Sequence, residues 1–276
     1  MTTTLRPTGP ERRTEDGTRS RSYDICVNGR PAGSVRLATD DRFGPSAGRI
    51  EALTVHEADR RRGRATVAAL AAEEVLRGWG CRRVEVSVPA AAGPALRLAA
   101  ALGYAERNRF LTKELSAPPE LPAGSAVRPM DAAEYPAWLA ACHTEHVRVW
   151  VDEGMPPERA ERNSERGHAA RLPHGPDTAD TALRVLVHDG TDVGTLWLVL
   201  AGAPLPGGYV VRVEVDPAHR GRGHGRALML AAERECLAAG VRTLGLNVFT
   251  ANTPALRLYE SLGYRPVAHD LSKPLL

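Results

Sequence analysis

The chain of 276 residues contains only two lysines, Lys113 and Lys273, so its positive charge is almost wholly arginine. A net charge of +3 is too small to single out a polyanionic partner, and nucleic acid is not expected as one. Cysteine is as sparse: Cys26, Cys81, Cys142 and Cys236 lie far apart with no C-x-x-C pair, which disfavours both a disulfide framework and zinc. HExxH is absent. His143 and His146 have a spacing that metals use, but no third ligand accompanies them, so no metal is expected and the pair reads as surface or pocket-lining histidines. Long apolar runs are missing too. No stretch of eighteen apolar residues occurs and Met1-Thr-Thr-Thr-Leu-Arg6 lacks the apolar segment of a secretory signal, from which a soluble cytoplasmic protein without a membrane span is expected.

What is present is concentrated between residues 209 and 264. A strand-like run, Tyr209 to Val215, leads into Arg220-Gly221-Arg222-Gly223-His224-Gly225-Arg226 and then a helix-like run from Ala227 to Ala239. A glycine-rich turn between strand and helix is an anion cradle. Glycine permits positive φ and close approach of a ligand to the backbone, while the unpaired N–H groups and positive dipole end of the first helical turn face the anion. No Gly-Lys-Ser/Thr follows, as a P-loop requires, and the glycines at 221, 223 and 225 alternate rather than fit G-x-G-x-x-G.

Farther on, Thr243 to Val248 reads as a strand. The segment Asn252 to Tyr264 reads as one short helix, with Ala255, Leu258, Tyr259 and Leu262 at three-to-four spacing, Pro254 in the first turn and Gly263 ending it. The first stretch fits R-x-x-G-x-G and the second fits N-x-x-A-x-x-x-Y-x-x-x-G-[FY], in that order and roughly thirty residues apart. On these two motifs the chain resembles the GNAT superfamily of acetyl-CoA-dependent N-acetyltransferases. The resemblance implies that the turn grips the coenzyme A pyrophosphate, that Asn252 contacts the coenzyme, and that Tyr259 protonates the departing thiolate.

The same pattern occurs earlier in the chain. Residues 214 to 264, moved back by 160, lie on residues 54 to 104 with 21 of 51 pairs identical and no gap, which identifies a duplication. Copy one keeps Arg60-x-x-Gly63-x-Ala65, but Arg61 stands for Gly221, Ala92 for Asn252 and Ala99 for Tyr259. The expected fold class is α/β: two tandem GNAT folds, each a mixed central sheet flanked by helices, as in the mycothiol synthase-like members of the superfamily.

The copies differ in their leading segments. Copy two opens with a strand near Ala126 to Arg128 and helix-like stretches at Asp131 to Val151 and Pro157 to Leu172, before a hairpin. Copy one has only a hairpin, Tyr23 to Val27 and Gly33 to Leu37 around Asn28-Gly29, and a strand, Arg49 to Val55. The expected organisation is a disordered polar leader at 1–20, a trimmed, non-catalytic first domain at 21–115, a proline-rich linker at 116–125 and a catalytic domain at 126–276. In the superfamily the opening helices wall the substrate site, so copy one lacks a place for an acceptor.

The implied chemistry is direct attack of an amine on the acetyl thioester. A backbone N–H on the strand bearing Val213 and Val215 holds the oxyanion, and Tyr259 is the acid. A phenol near pKa ~10 can protonate a thiolate whose conjugate acid resembles cysteine at ~8.5, whereas an alkylammonium near ~10 needs a base before it can attack. Glu214 is the nearest carboxylate on that strand, and alternation places it opposite Val213 and Val215 without deciding which face meets the acceptor. The acceptor remains open between a small metabolite, an antibiotic and a protein N-terminus. The rival reading is a non-catalytic acyl-CoA sensor.

Overall fold

The computed structural model describes residues 2–15, 17–40, 44–152, 154–202 and 207–275. In chain order the first copy supplies β1 (Thr3–Pro7), β2 (Arg12–Arg13), β3 (Arg19–Val27), β4 (Arg30–Asp40), β5 (Gly44–Val55), α1 (Arg64–Gly78), β6 (Arg83–Pro89), α2 (Gly93–Ala101) and β7 (Ala105–Glu114). The second supplies β8 (Ser125–Pro129), α3 (Tyr135–Asp152), α4 (Pro157–Arg171), β9 (Thr181–His188), β10 (Thr191–Val199) and β11 (Gly208–Val215). It continues through α5 (His224–Ala238), β12 (Thr243–Phe249), α6 (Thr253–Ser261) and β13 (Arg265–Pro274). The boundaries of α1, β6, α2 and β7 recur in α5, β12, α6 and β13 at the same offset of 160, so the duplication is structural.

Local chemistry accounts for these elements. Asn28 and Gly29, at φ 48° and 84°, make the two-residue turn between β3 and β4, a conformation that matches strand twist and that Asn and Gly adopt at least cost. At the start of α3, Asp131 Oδ1 accepts from the N–H groups of Ala133 and Glu134, and Glu134 Oε2 accepts from Asp131 N, a reciprocal cap.

The chain divides into two compact units, Met1–Arg109 with Val267–Leu276, and Phe110–Pro266. In the first, the sheet runs β1-β3-β4-β5-β6-β13, with β5 and β6 parallel and the other neighbours antiparallel. Its core gathers Tyr23, Val35, Leu37, Leu76 and Val84 with Leu271 and Leu275. In the second, the order is β7-β12-β11-β10-β9-β8, with β11 and β12 parallel. Leu111 and Leu115 join Leu196, Leu228, Met229 and Leu246 in its core.

The division corrects the expected boundaries. The end of β7 serves the second unit and nearly all of β13 serves the first, so each copy's last strand completes the other copy's sheet. Sequence similarity could not reveal this, because two like copies offer each last strand two equally suitable edges. The exchange accounts for the two lysines. Lys273 Nζ reaches Glu73 Oε2 at 2.7 Å and lies 5.7 Å from the Tyr104 ring centroid; Lys113 Nζ reaches Glu233 Oε1 at 2.7 Å and lies 5.7 Å from that of Tyr264. Glu73 and Glu233 are both buried, and each needs the ammonium brought by the exchanged strand.

The expectation of a disordered leader is also corrected. Residues 3 to 7 form β1, paired antiparallel with β3 from Thr3↔Val27 to Pro7↔Tyr23, and Arg12–Arg13 form β2; Met1 and Asp16 lie outside the described residues. β1 occupies the place in its sheet that β8 holds in the other. Its polar, mostly exposed residues carry little alternating pattern because it is an edge strand. Between β1 and β3 the described residues contain only β2, where the second unit has α3 and α4 between β8 and β9.

Candidate active site

β11 carries one irregularity that shapes the second unit. Trp197 of β10 pairs with Arg212 and Leu198 with Val210, so Val211 is an extra residue, a β-bulge. On its other edge β11 pairs with β12 only from Gly208 to Val210, against Leu244 to Leu246, although both strands continue. The stretch holding Val213 and Val215 therefore has no strand partner on that side. The first unit repeats this at β5, bulged at Glu51 and paired with β6 only over Ala47 to Arg49.

The cradle follows β11. Asp216 Oδ1 accepts from Ala218 N at 2.8 Å, fixing a short 3-10 turn, and Arg220 Nε donates to Val215 O at 3.2 Å. Gly221 and Gly223 have φ of 77° and 88°, and Gly223 caps α5, so the N–H groups of His224 and Gly225 lie in the unpaired first helical turn. Gly225 has another reason to be glycine: an added Cβ would lie 3.3 Å from Leu258 Cδ2, which limits this helix start to the smallest residues against α6. Arg222 is exposed and makes no ion pair among the described residues, whereas Arg226 donates to Ser261 Oγ at 2.6 Å. His224 is buried, its ring centroid 4.8 Å from that of His188 and 6.3 Å from that of His219. Only its backbone is offered at the helix start.

In the first unit the loop keeps this shape. Arg60 Nε donates to Val55 O at 3.0 Å, Gly63 has φ 72°, and Arg61 adopts φ 58° where Gly221 has 77°. The loop has thus retained a left-handed residue at a non-glycine, at a cost of roughly 1–2 kcal/mol. Ala65 takes the place of Gly225. Arg64 is turned away, buried and donating to Thr3 Oγ1 of β1 at 3.1 Å.

Two residues singled out on α6 behave differently. The Asn252 side chain accepts from Ala255 N at 3.2 Å and caps the helix, a structural role that Ala92 cannot perform on α2. Tyr259 is half-buried, its ring centroid 6.0 Å from that of Tyr264, and among the described residues its hydroxyl has no hydrogen-bond partner. Burial raises its phenol above the usual value, keeping the proton in place.

The face of Glu214 is now determined. Arg212 Nε and Nη2 both donate to Glu214 Oε2, at 3.0 and 2.9 Å, and residues two apart on a strand share a face. Trp197, opposite Arg212, packs against Trp138 of α3 and His168 of α4, at ring-centroid distances of 5.6 and 5.7 Å. Arg212 and Glu214 therefore face the two helices that the first unit lacks, while Val213 and Val215 pack toward the α5–α6 core. Trp138 belongs to the core on this side, and Trp150 stacks on His146.

Sequence reading named His143 and His146 but missed their partners. His143 Nδ1 lies 3.0 Å from Ser164 Oγ, Ser164 Oγ lies 3.4 Å from His168 Nδ1, and His168 Nε2 lies 3.2 Å from His146 Nδ1. Ser164 and His168, one helical turn apart on α4, were the available signal. No group of three or more potential metal ligands occurs among the described residues, and no helix there is long and apolar enough to cross a membrane.

The model of the Acetyltransferase (GNAT) family matches the chain twice, over residues 2–104 and 138–264. The chain belongs to this family of acetyltransferases. A mycothiol acetyltransferase of Thermobispora bispora is 36% identical over 188 residues, covering 64% of this chain and 59% of that protein. One from Thermomonospora curvata is 33% identical over 261 residues, covering 92% and 82%. Among solved structures, a GCN5-related N-acetyltransferase from Sphaerobacter thermophilus superposes with TM-score 0.61 at 22% identity, over 92% of this chain and 80% of that one. A tandem GNAT protein from the clavulanic acid biosynthesis pathway gives 0.52 at 22% identity, over 94% and 84%. At such identity they establish the tandem fold.

Proposed function

We propose that the second unit transfers the acetyl group of acetyl-CoA to the amine of a small molecule, and that the first unit does not catalyse transfer. The observation that carries this reading is the asymmetry between like copies. The second unit combines a two-glycine cradle, the Tyr259 phenol, and α3 and α4 over the Glu214 face; the first has Arg61, Ala99 and no such helices. Members of the family use acetyl-CoA, which supplies the acyl group as an activated thioester. The chain's residues fit it: the first-turn N–H groups of His224 and Gly225 and the exposed Arg222 guanidinium suit a pyrophosphate, while the unpaired edge of β11 suits an extended, amide-bearing arm.

Each residue then has a task. Backbone N–H on β11 near Val213 and Val215 stabilises the developing oxyanion, Tyr259 gives its proton to the departing thiolate, and Glu214 meets the acceptor's ammonium. The relatives' name makes a mycothiol-type amine the first acceptor to try. The test is thiol release from acetyl-CoA across a panel of small amines and peptide N-termini. Release that requires one small amine supports the reading; tight acetyl-CoA binding with no release on any acceptor would favour a coenzyme sensor.

A further inference from the structure

We propose that coenzyme binding by the second unit is proton-coupled through His224, whose imidazole takes up a proton from solvent when the pyrophosphate enters the cradle; this rests on the acetyl-transfer reading above. The ring belongs to the first residue of α5, so its own backbone N–H is one of the two offered to the anion. An anion held there lies within one side-chain length of the imidazole, inside the roughly 8 Å over which physiological salt leaves charges unscreened. Three imidazoles meet at this point. His224 is 5% exposed, and its ring centroid lies 4.8 Å from that of His188 at the end of β9 and 6.3 Å from that of His219 in the 3-10 turn before the cradle. The His224 side chain makes no hydrogen bond among the described residues, whereas His188 is anchored, with Ser125 Oγ 3.0 Å from its Nδ1 and Asp189 Oδ2 3.5 Å from its Nε2. A buried polar ring without a partner carries a desolvation cost that an apolar ring would not, so packing alone does not account for His224.

The first unit fills the same three positions with groups that do not titrate near neutrality. Val27 precedes the Asn28-Gly29 turn and pairs with Thr3, as His188 precedes the Asp189-Gly190 turn and pairs with Ser125. At the offset of 160, Asp59 stands for His219 and Arg64 for His224. Arg64 donates to Thr3 Oγ1, on the strand that corresponds to the one carrying Ser125. Its guanidinium is permanently charged, and Asp59 is held below the usual carboxylate range first by its 2.7 Å bond to Arg30. Behind one cradle the charge is fixed; behind the other it is set by pH.

The sign of the coupling follows from the surroundings of the ring. In the free protein, burial first and then His188, His219 and Arg222 lower the pKa of His224, so the ring is mostly neutral at pH 7. The other charged groups on the elements packed here are engaged elsewhere. Arg220 donates to Val215 O, Arg226 to Ser261 Oγ of α6, Asp216 accepts from Ala218 N, and Arg184 of β9 pairs with Glu235. Asp192 of β10 pairs with Arg128 of β8, and Glu214 of β11 is held by Arg212 on the opposite face of the sheet. A bound pyrophosphate adds negative charge beside the ring, offsets Arg222 and favours the imidazolium, so the pKa in the complex exceeds that of the free protein. By linkage, affinity is level above the value in the complex, rises as pH falls between the two values, and levels off again below the free value. The only bond formed is the second N–H of the ring.

The test is calorimetric titration of the parent and His224→Asn with acetyl-CoA and with 3′-dephospho-CoA across the range from about pH 5.5 to 8, which spans the imidazole value. Dephospho-CoA is included because a phosphate monoester itself titrates near ~6 and pulls in the opposite sense. One coupled proton changes affinity by at most about tenfold per pH unit. The parent should bind dephospho-CoA about 3- to 10-fold more tightly at the acid end of that range than at neutrality. In buffers of different ionisation enthalpy it should also show net proton uptake on binding, and His224→Asn should show neither effect. With either ligand the difference between parent and variant is the readout, so a site in the first unit, which has no imidazole at these positions, cancels. An equal pH dependence in parent and variant would overturn the proposal and leave the coenzyme reading standing; no binding of acetyl-CoA to the parent at any pH would overturn both. Imidazole NMR decides without a variant, in case His224→Asn fails to fold. The His224 titration midpoint should rise on saturation with the coenzyme, and an unchanged midpoint contradicts the proposal.

Discussion

Arg61 shows how a single position records the history of the duplication. It holds φ 58° at the place where the second copy has Gly221, and no described side chain fixes it by an ion pair. The left-handed conformation costs a non-glycine residue roughly 1–2 kcal/mol, while glycine's greater freedom in the unfolded chain returns about 0.5–1. Arg61→Gly should therefore stabilise the first unit by about 0.5–1 kcal/mol, read as a higher urea midpoint with unchanged m-value. A loss of stability would mean that the guanidinium contributes more than the strain removes. The sequence showed only that Arg61 stands where the second copy has Gly221, and the structure adds the positive φ that makes the arginine strained. Other residues were not legible. Arg212 and Ser164 carry no motif, and only the folded sheet and the α3–α4 pair put them beside Glu214 and His168.

Among the elements, α2 and α6 are the most instructive comparison, nine residues each at the same offset. Asn252 caps α6 through Ala255 N, and Ala92 leaves α2 without a side-chain cap. Asn252→Ala should cost about 1 kcal/mol, and Ala92→Asn should return a similar amount to the first unit, both read by chemical denaturation. If Asn252→Ala weakened acetyl-CoA binding without changing stability, the cap would be the lesser of its roles. Helices and hairpins of this kind were readable because their signals are local: Asn28-Gly29 at a turn, Pro254 and Gly263 bracketing α6, and glycines marking the start of α5. β1 escaped notice for a physical reason, since an edge strand need not bury an alternating face.

For the molecule as a whole, the exchanged strands decide which fragments can fold. The sequence revealed two copies but not the exchange, because pairing choice is a long-range property that two similar edges leave open. A fragment of residues 126–276 lacks β7, and with it Leu111, Leu115 and the Lys113 ammonium that neutralises buried Glu233. Loss of one partner of a buried ion pair costs about 3–5 kcal/mol, to which the exposed core adds. That fragment should not unfold cooperatively, whereas residues 105–266 should. Circular dichroism with urea titration distinguishes them, and cooperative unfolding of the 126–276 fragment would contradict the exchanged arrangement.

The central claim is that the second unit performs acetyl transfer with Tyr259 as the acid, and single-turnover kinetics of Tyr259→Phe test it most directly. The ring and its packing remain while the proton is removed, and Ala99 in the first unit offers no substitute. The account predicts that the chemical step slows by about 10²- to 10⁴-fold with acetyl-CoA affinity nearly unchanged. A chemical step as fast as the parent's would contradict it.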